Sequence, residues 1–182
     1  MVLDIDADKK QRFHIVQLAM FNADVLASIQ REAETNANGV CKTLIDQSGE
    51  RNVAAAPPAP STVNQSLFFA MAYLSLVWLR ESLSNEEVEA ALASEKMMGV
   101  WSDASLSGPR DVSADIQKLR LVRNALSHGN VEIDHDFVFS FWDQNKRGSN
   151  NEGSATVLKM KSDSVGRLAT QFYYAASDVI YS

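Results

Sequence analysis

Cysteine is nearly absent from this sequence, in which Cys41 is the single thiol. One cysteine cannot form a disulfide within the chain, and it leaves too few ligands for a Cys/His zinc cluster. Long apolar runs are missing too, because the longest, from Leu67 to Leu79, is shorter than the roughly 20 residues of a transmembrane helix. The first residues are acidic where a signal peptide is basic and then apolar. We therefore expect a cytoplasmic protein outside the membrane, with no metal and no cofactor.

A surplus of positive charge is also lacking, because 17 Lys and Arg residues are set against 23 Asp and Glu residues and the net charge is −6. Such a chain has no general attraction for a nucleic-acid backbone, so any contact with nucleic acid must be local. Glycine-rich phosphate loops and the nucleophile elbow of serine hydrolases are absent from the sequence. The sequence therefore gives no sign of a nucleotide-binding enzyme with a phosphate loop or of a serine hydrolase.

Apolar residues are plentiful, at 46% of the 182 positions. A chain of this length can bury on the order of 70% of its unfolded surface, so we expect a single domain over residues 1–182. The first helix is predicted from Asp8 to about Thr35, a stretch without Pro or Gly. At about 100° per residue its apolar side chains fall on two nearly opposite sides, one suited to the protein's own core and the other to a partner surface. The two rows are Phe13, Val16, Met20 and Ala27, and Leu18, Val25 and Ile29.

The rest of the chain predicts an all-α fold in the main, with a small β-hairpin. Asn36 to Ser61 carries Asn-Gly, Ser-Gly and a Pro/Ala-rich run, so we expect a linker there, with a mobile loop at about 49–61. Apolar patterning and capping residues predict the later helices. These helices run over about Thr62–Leu83, Ser84–Glu95, Asp111–Gly129 and Ser162–Tyr181, and Lys96–Arg110 is expected to be an irregular connection.

Alternating residues predict the hairpin just before the last helix. Its strands are Val131–Trp142 and Ser154–Met160, joined by a polar turn region at Asp143–Gly153. Phe137, Phe139 and Phe141 fall on one face of the first strand. Such a row packs into a core more often than it stacks on bases, so we expect packing here.

The predicted helix that ends at Gly129 has a polar edge which packing does not explain. On a helix, Asn124 and His128 lie about 40° apart, and Arg123 lies about 140° from His128. An imidazole can move a proton near neutral pH, and a guanidinium is suited to a phosphate. RNA supplies its own nucleophile, the 2′-hydroxyl that DNA lacks, so these groups could cleave RNA without a metal. The alternative is structural, because a helix end also favours a basic residue before a left-handed glycine.

The segment from Leu121 to Asn130, which contains Arg123, Asn124 and His128, resembles the Arg-x4-6-His motif of the HEPN superfamily in its Arg-Asn-x3-His form. HEPN domains are small all-α bundles that carry this motif late in the chain, at the end of a helix. The resemblance implies an HEPN-like helical bundle, here with the hairpin inserted between the motif helix and the last helix.

The resemblance also implies an activity, that of a metal-independent endoribonuclease, often a toxin or a defence component. Such proteins work as homodimers whose paired motifs form one composite site. By this resemblance His128 would transfer protons to and from an RNA substrate, Arg123 would bind the phosphate and Asn124 would orient them. An antitoxin or a nucleotidyltransferase is the further partner that the family implies. Some family members have a tyrosine two residues after the histidine, which a partner nucleotidyltransferase uses to inactivate them; this chain has Asn130 at that position.

Two other functions remain open from the sequence. One is a non-catalytic HEPN dimer that acts as a binding or regulatory module, since the chain is acidic overall. The other is a helical interaction protein unrelated to HEPN. Lys118, Arg120 and Arg123 cluster on the motif helix and either attract RNA locally or form a solvated face. The other histidines lack companions at metal-ligand spacing and the nearby acids alternate beside a turn, so we expect solvated residues; they are His14, His135, Asp134 and Asp136.

Overall fold

The computed structural model describes residues 5–52, 65–143 and 155–182. Within these ranges the chain is mainly helical, with six α-helices and one four-stranded antiparallel sheet. The α-helices are α1 (Ile5–Thr35), α2 (Val40–Asn52), α3 (Gln65–Tyr73), α4 (Asn85–Leu92), α5 (Asp115–His128) and α6 (Ser162–Tyr181). The strands are β1 (Ser105–Ser107), β2 (Val131–Ile133), β3 (Val138–Asp143) and β4 (Thr156–Lys161). The mainly helical class predicted from the sequence is confirmed.

The described residues form two compact units, and α1 contributes to both. The first unit comprises the described part of Met1–Val16 together with that of Met71–Ser182, and the second comprises that of Gln17–Ala70. The sheet, α4, α5 and α6 therefore belong to the first unit. The expectation of one domain over residues 1–182 stays a prediction.

The core of the first unit lies where one face of the sheet meets α5 and α6. The strand order is β1-β4-β3-β2, and all neighbouring strands are antiparallel. Phe139 pairs with Met160 and Phe141 pairs with Leu158, and none of these four side chains is more than 1% exposed. The alternation of strand residues places all four on the face that packs against the helices.

Capping residues predict the start of α4 correctly. The backbone N–H of Glu87 donates to Ser84 Oγ at 3.2 Å, and the backbone N–H of Ser84 donates to the Glu87 carboxylate at 2.7 Å. This reciprocal arrangement satisfies two donors that a helix start leaves without partners. Helix α6 also spans Ser162–Tyr181 as predicted.

The expected linker after α1 is wrong over Val40–Asn52, which forms α2. The Asn-Gly signal marks only the turn between α1 and α2, where the backbone N–H of Gly39 donates to the carbonyl of Asn36 at 2.9 Å. A Cβ at Gly39 would lie 2.6 Å from Glu32 Oε1, so a larger residue there would have to displace this carboxylate. The remainder of the predicted loop, from residue 53 to 61, lies outside the described residues.

The helix predicted over Thr62–Leu83 changes its hydrogen-bonding pattern along its length. After α3 the chain continues as a π-helix over Leu74–Leu79 and then as a 3-10 turn over Arg80–Ser82. A π-helix has a wider turn than an α-helix and shifts the direction of the residues that follow it. Arg80 is the first of those residues.

The strand predicted over Val131–Trp142 is interrupted by a turn between β2 and β3. The Asp134 carboxylate accepts the backbone N–H groups of Asp136 and Val138, both at 2.9 Å. Phe137 has a φ of +57° and is 58% exposed, so the expectation that it packs with the other two phenylalanines is wrong. A turn residue does not follow the alternation of a strand.

Two boundaries on the approach to α5 also differ from expectation. Ser105–Ser107 forms β1 within the stretch expected to be irregular, because it pairs with β4. Helix α5 begins at Asp115 rather than near Asp111, whose carboxylate accepts the backbone N–H of Ser113 at 3.0 Å. Asp111 therefore stabilises a turn before the helix.

The two apolar rows predicted for α1 differ in exposure. Phe13 and Val16, from the row expected in the core, are at most 1% exposed. Leu18 and Val25, from the other row, are 48% and 40% exposed. The use of this second row as a partner surface remains a prediction.

Candidate functional site

Helix α5 has one buried face and one polar face. The buried residues are Leu119, Leu121, Val122, Ala125 and Leu126. At about 100° per residue, the polar residues occupy the remaining arc of roughly 140°; they are Arg120, Arg123, Asn124, Ser127 and His128. The structure therefore places the three residues predicted to form the site, Arg123, Asn124 and His128, on one face of one helix. Arg123 and Asn124 are half-buried, and His128 is exposed.

The end of α5 is closed by the backbone around Gly129. This glycine has a φ of +70°, the left-handed conformation that costs other residues free energy. The backbone N–H of Asn130 donates to the carbonyl of Ala125 at 2.9 Å, which satisfies an acceptor at the helix end. Within the part of the chain that the structure describes, the His128 side chain makes no hydrogen bond. Gly129 thus caps the C-terminal end of α5, and the imidazole of His128 is exposed to solvent.

Arg123 has a partly satisfied guanidinium. Its Nη1 lies 3.9 Å from Glu81 Oε1, and the two side chains are 28% and 49% exposed. An ion pair this long and this exposed contributes about 0–1 kcal/mol. The Nε atom of Arg123 is buried and has no hydrogen-bond partner among the described residues. Arg123 can therefore accept an anion in place of Glu81 at small cost.

Arg80, which the sequence did not single out, lies close enough to this face to interact with it electrostatically. Its Nη2 donates to Asn85 Oδ1 at 3.1 Å, and the side chain is half-buried. Burial lowers the pKa of Arg80 below its usual range, and the positive charges of Arg123 and Arg120 lower that pKa further. Because the π-helix before Arg80 packs against α5, the tertiary structure brings the guanidinium groups near one another. No local sequence signal predicts this arrangement.

Lys118 does not belong to the basic cluster that the sequence suggested. Its Nζ donates to the Asp115 carboxylate at 2.9 Å and lies 5.6 Å from the centre of the Trp101 ring. Around the helix it lies about 160° from Arg120. The local positive charge is therefore formed by Arg80, Arg120 and Arg123.

The other polar residues considered from the sequence have structural or solvated positions. His14 and His135 are exposed, and Asp134 holds the turn between β2 and β3. In residues 5–52, 65–143 and 155–182, no group of three or more His, Cys, Asp or Glu side chains could hold a metal ion. None of the helices described is long and apolar enough to span a membrane.

The face of α5 combines a group that can transfer a proton with groups that can bind a phosphate. An imidazole exposed to solvent can exchange a proton with a bound substrate. Guanidinium groups beside it can stabilise negative charge that develops on phosphorus. The half-buried amide of Asn124 lies between them and can orient either group. These are the groups required to cleave a phosphodiester whose nucleophile comes from the substrate.

A mainly helical unit with an Arg-Asn-x3-His motif at the end of α5 defines a protein of the HEPN class. The sequence matches the family model described as HEPN pEK499 p136 over residues 8–180. The chain therefore belongs to the HEPN pEK499 p136 family, and the resemblance seen in the motif is confirmed at the level of the superfamily. No curated protein and no solved structure matches the chain.

Proposed function

We propose that this protein is a metal-independent endoribonuclease of the HEPN type, acting as a toxin or defence component whose further partner is an antitoxin or a nucleotidyltransferase. The observation that carries the proposal is the polar face of α5, on which Arg123, Asn124 and His128 lie together with their side chains at least partly open to solvent. Membership of the HEPN pEK499 p136 family supports it, because the resemblance of this segment to the HEPN motif implies a ribonuclease.

The proposed reaction is an internal transesterification of RNA. His128 takes the proton of a ribose 2′-hydroxyl, and the 2′-oxygen forms a bond to the adjacent phosphorus. The bond from phosphorus to the 5′-oxygen breaks, that oxygen takes up a proton from water, and His128 releases its own proton to the solvent. Arg123 stabilises the negative charge on the phosphoryl oxygens, and Asn124 holds the reacting groups in place. The products are a 2′,3′-cyclic phosphate and a 5′-hydroxyl.

The active form is proposed to be a homodimer in which two copies of α5 border one cleft. Arg123 and His128 of one copy lie about 140° apart around α5, so the His128 that removes the proton and the Arg123 that binds the phosphate are proposed to come from different copies. In the dimer the partner's Arg123 thus acts together with His128 on one phosphate. The two-sided apolar pattern of α1 supports a contact between copies, because Leu18 and Val25 are exposed.

Cleavage of RNA in the presence of a chelator tests the activity. The purified chain is expected to cut RNA and to leave cyclic phosphate ends, and a substrate with 2′-deoxyribose throughout is expected to stay intact. His128→Ala should lower the rate by about 10²- to 10⁴-fold. The control is His14→Ala, which removes an exposed imidazole on α1 and should leave the rate unchanged. Equal rates for His128→Ala and the unaltered protein would contradict the proposal.

The second candidate is a non-catalytic HEPN module that binds a partner without cleaving it. The net charge of −6 favours this function, since it weakens general attraction for RNA. A folded dimer that cleaves no RNA, with the same result for the His128→Ala variant, would select this function over the first.

A further inference from the structure

Three guanidinium groups lie near one face of the first unit, and within the described residues one of them, that of Arg123, lies within 4 Å of a carboxylate. Arg120 and Arg123 lie on the polar face of α5, and Arg80 follows the π-helix that packs against α5. Arg123 is 3.9 Å from the Glu81 carboxylate. Among the residues that the structure describes, Arg80 and Arg120 form no ion pair within 4 Å. Arg80 donates to the neutral side chain of Asn85, and the charge of Glu81 raises the pKa of Arg80 less than burial, Arg123 and Arg120 lower it.

The backbone of Arg80 is held by a turn attached to the core, and its guanidinium is held by a side chain of α4. Ser82 Oγ donates to the carbonyl of Leu79 at 2.6 Å and closes the 3-10 turn that contains Arg80. On the far side of this turn, Asn85 in α4 accepts from Arg80 at 3.1 Å. Leu79 itself is 0% exposed, so the turn is attached to the core. A cation held in this way loses little conformational entropy when it binds an anion.

The positive charges of Arg80, Arg120 and Arg123 favour the binding of an anion at this face. Like charges that are partly buried repel each other more strongly than in water, because the local dielectric constant is lower. The lowered pKa of Arg80, caused first by burial and then by Arg123 and Arg120, is consistent with this repulsion. Glu81 is about half exposed and supplies a single compensating charge. The chain carries more acids than bases in total, so a local positive cluster of this kind is not a consequence of composition.

We propose that Arg80 and Arg120 bind the phosphates on either side of the cleaved one, and that Glu81 occupies Arg123 until RNA displaces it. This inference rests on the proposed function, because it takes the site on α5 to be the site of cleavage. From Arg120 to His128 the helix rises roughly 12 Å, which is long enough to contact two or three successive phosphates of one strand. Arg80 extends the contact to the side of α5.

The experiment measures binding separately from cleavage. The probe is a short, fluorescently labelled single-stranded RNA in which every 2′-hydroxyl is methylated, so that no nucleophile is present. Its affinity for the full chain is measured by anisotropy over a range of salt concentrations. Arg80→Gln and Arg120→Gln should each weaken binding on the order of fivefold at low salt and reduce the slope of log K against log salt by about 0.7. Arg80→Lys should keep the slope.

The matched control is Arg167→Gln, which removes the same charge from an exposed residue on α6. It should leave the affinity and the slope as they are in the unaltered protein. Glu81→Gln should tighten binding, because the competing carboxylate is removed. Circular dichroism and thermal melting establish that each variant is folded.

Several results overturn the inference. They are absence of binding by the unaltered protein, equal effects of Arg80→Gln and Arg167→Gln on binding, and weaker binding by Glu81→Gln.

Failure of the inference is distinguishable from failure of the nuclease proposal. If unmethylated RNA is cleaved and His128→Ala abolishes cleavage while Arg80→Gln binds normally, only the inference fails. If Arg80→Gln weakens binding but the unaltered protein cuts no RNA, the phosphate contacts stand and the nuclease proposal fails.

Discussion

At the scale of single residues, backbone conformation separates side chains that a sequence pattern treats as equivalent. Phe137 and Phe139 are two positions apart and would share one face of a continuous strand. Phe137 instead has a φ of +57° in the turn held by Asp134, and it is 58% exposed, whereas Phe139 is 1% exposed. The two rings therefore make opposite contributions to stability, since one is strained and solvated and the other is in the core.

We expect Phe137→Asn to raise the free energy of unfolding by a few tenths to about 1 kcal/mol, because asparagine tolerates the left-handed conformation better than phenylalanine. Phe139→Ala should lower it by about 3–5 kcal/mol, since a buried aromatic ring is lost. Urea denaturation followed by circular dichroism gives both values. A loss of 2 kcal/mol or more in Phe137→Asn would show that Phe137 is part of the core.

At the scale of elements, α4 is connected to α1 through its own cap. Lys9 Nζ donates to Glu87 Oε1 at 2.7 Å and to Oε2 at 2.8 Å, and the same carboxylate accepts the backbone N–H of Ser84. Partial burial by itself raises the pKa of Glu87, but the hydrogen bonds from Lys9 and Ser84 outweigh it and the pKa is lowered from its usual 4.5. One carboxylate thus caps a helix and contacts another.

This lowered pKa predicts a pH-dependent stability. A carboxyl whose pKa falls on folding stabilises the protein above its unfolded pKa, and that contribution disappears as the pH drops through the folded pKa. We expect Lys9→Gln to lower the free energy of unfolding by about 1 kcal/mol at pH 7, and the difference from the unaltered protein to shrink below a pH of about 4.5.

Thermal and urea denaturation between pH 3 and pH 7 measure this difference. Lys159→Gln is the control, because Lys159 is exposed on β4 and the change removes the same charge. Its effect should be small at every pH. If Lys9→Gln lowers the free energy of unfolding by the same amount down to pH 3, the ionised Glu87 carboxylate is not the group through which Lys9 stabilises the protein.

At the scale of the whole molecule, the proposed dimer forms its site from residues of both chains. Each copy presents one Arg123 and one His128, about 140° apart around α5. If the productive pair comes from opposite copies, a variant that lacks one group can be complemented by a variant that lacks the other. If each copy is complete by itself, complementation is impossible.

We expect Arg123→Ala and His128→Ala to be inactive alone and to recover activity when the two chains are co-expressed. Half of the dimers formed at random are mixed, and each contains one of the two productive pairs, so about a quarter of the normal rate should return. Ribonuclease assays on the co-purified mixture measure the recovery. Co-expression of either variant with the double variant is the control and should restore nothing. No recovery from a mixture shown to contain mixed dimers would contradict the composite site.

The local features of this protein follow from its amino-acid sequence. The Ser84 and Glu87 capping box, the end of α5 at Gly129 and the extent of α6 follow from residues a few positions apart, because caps and helical periodicity are short-range effects. The HEPN superfamily was recognisable for the same reason, since its motif lies within six consecutive residues of one helix. Arg123, Asn124 and His128 were predicted to share a polar edge from their spacing alone.

Other features depend on contacts between distant segments and are visible only in the folded chain. Strand β1 exists because Ser105–Ser107 pairs with residues about fifty positions later in β4, and Phe137 leaves the sheet because of the turn at Asp134. The approach of Arg80 to Arg123 requires a π-helix and its packing against α5, neither of which has a signature in local sequence. The residues proposed to bind RNA beyond the motif therefore become visible only when segments forty residues apart are brought together, because packing, and not propensity, sets their distance.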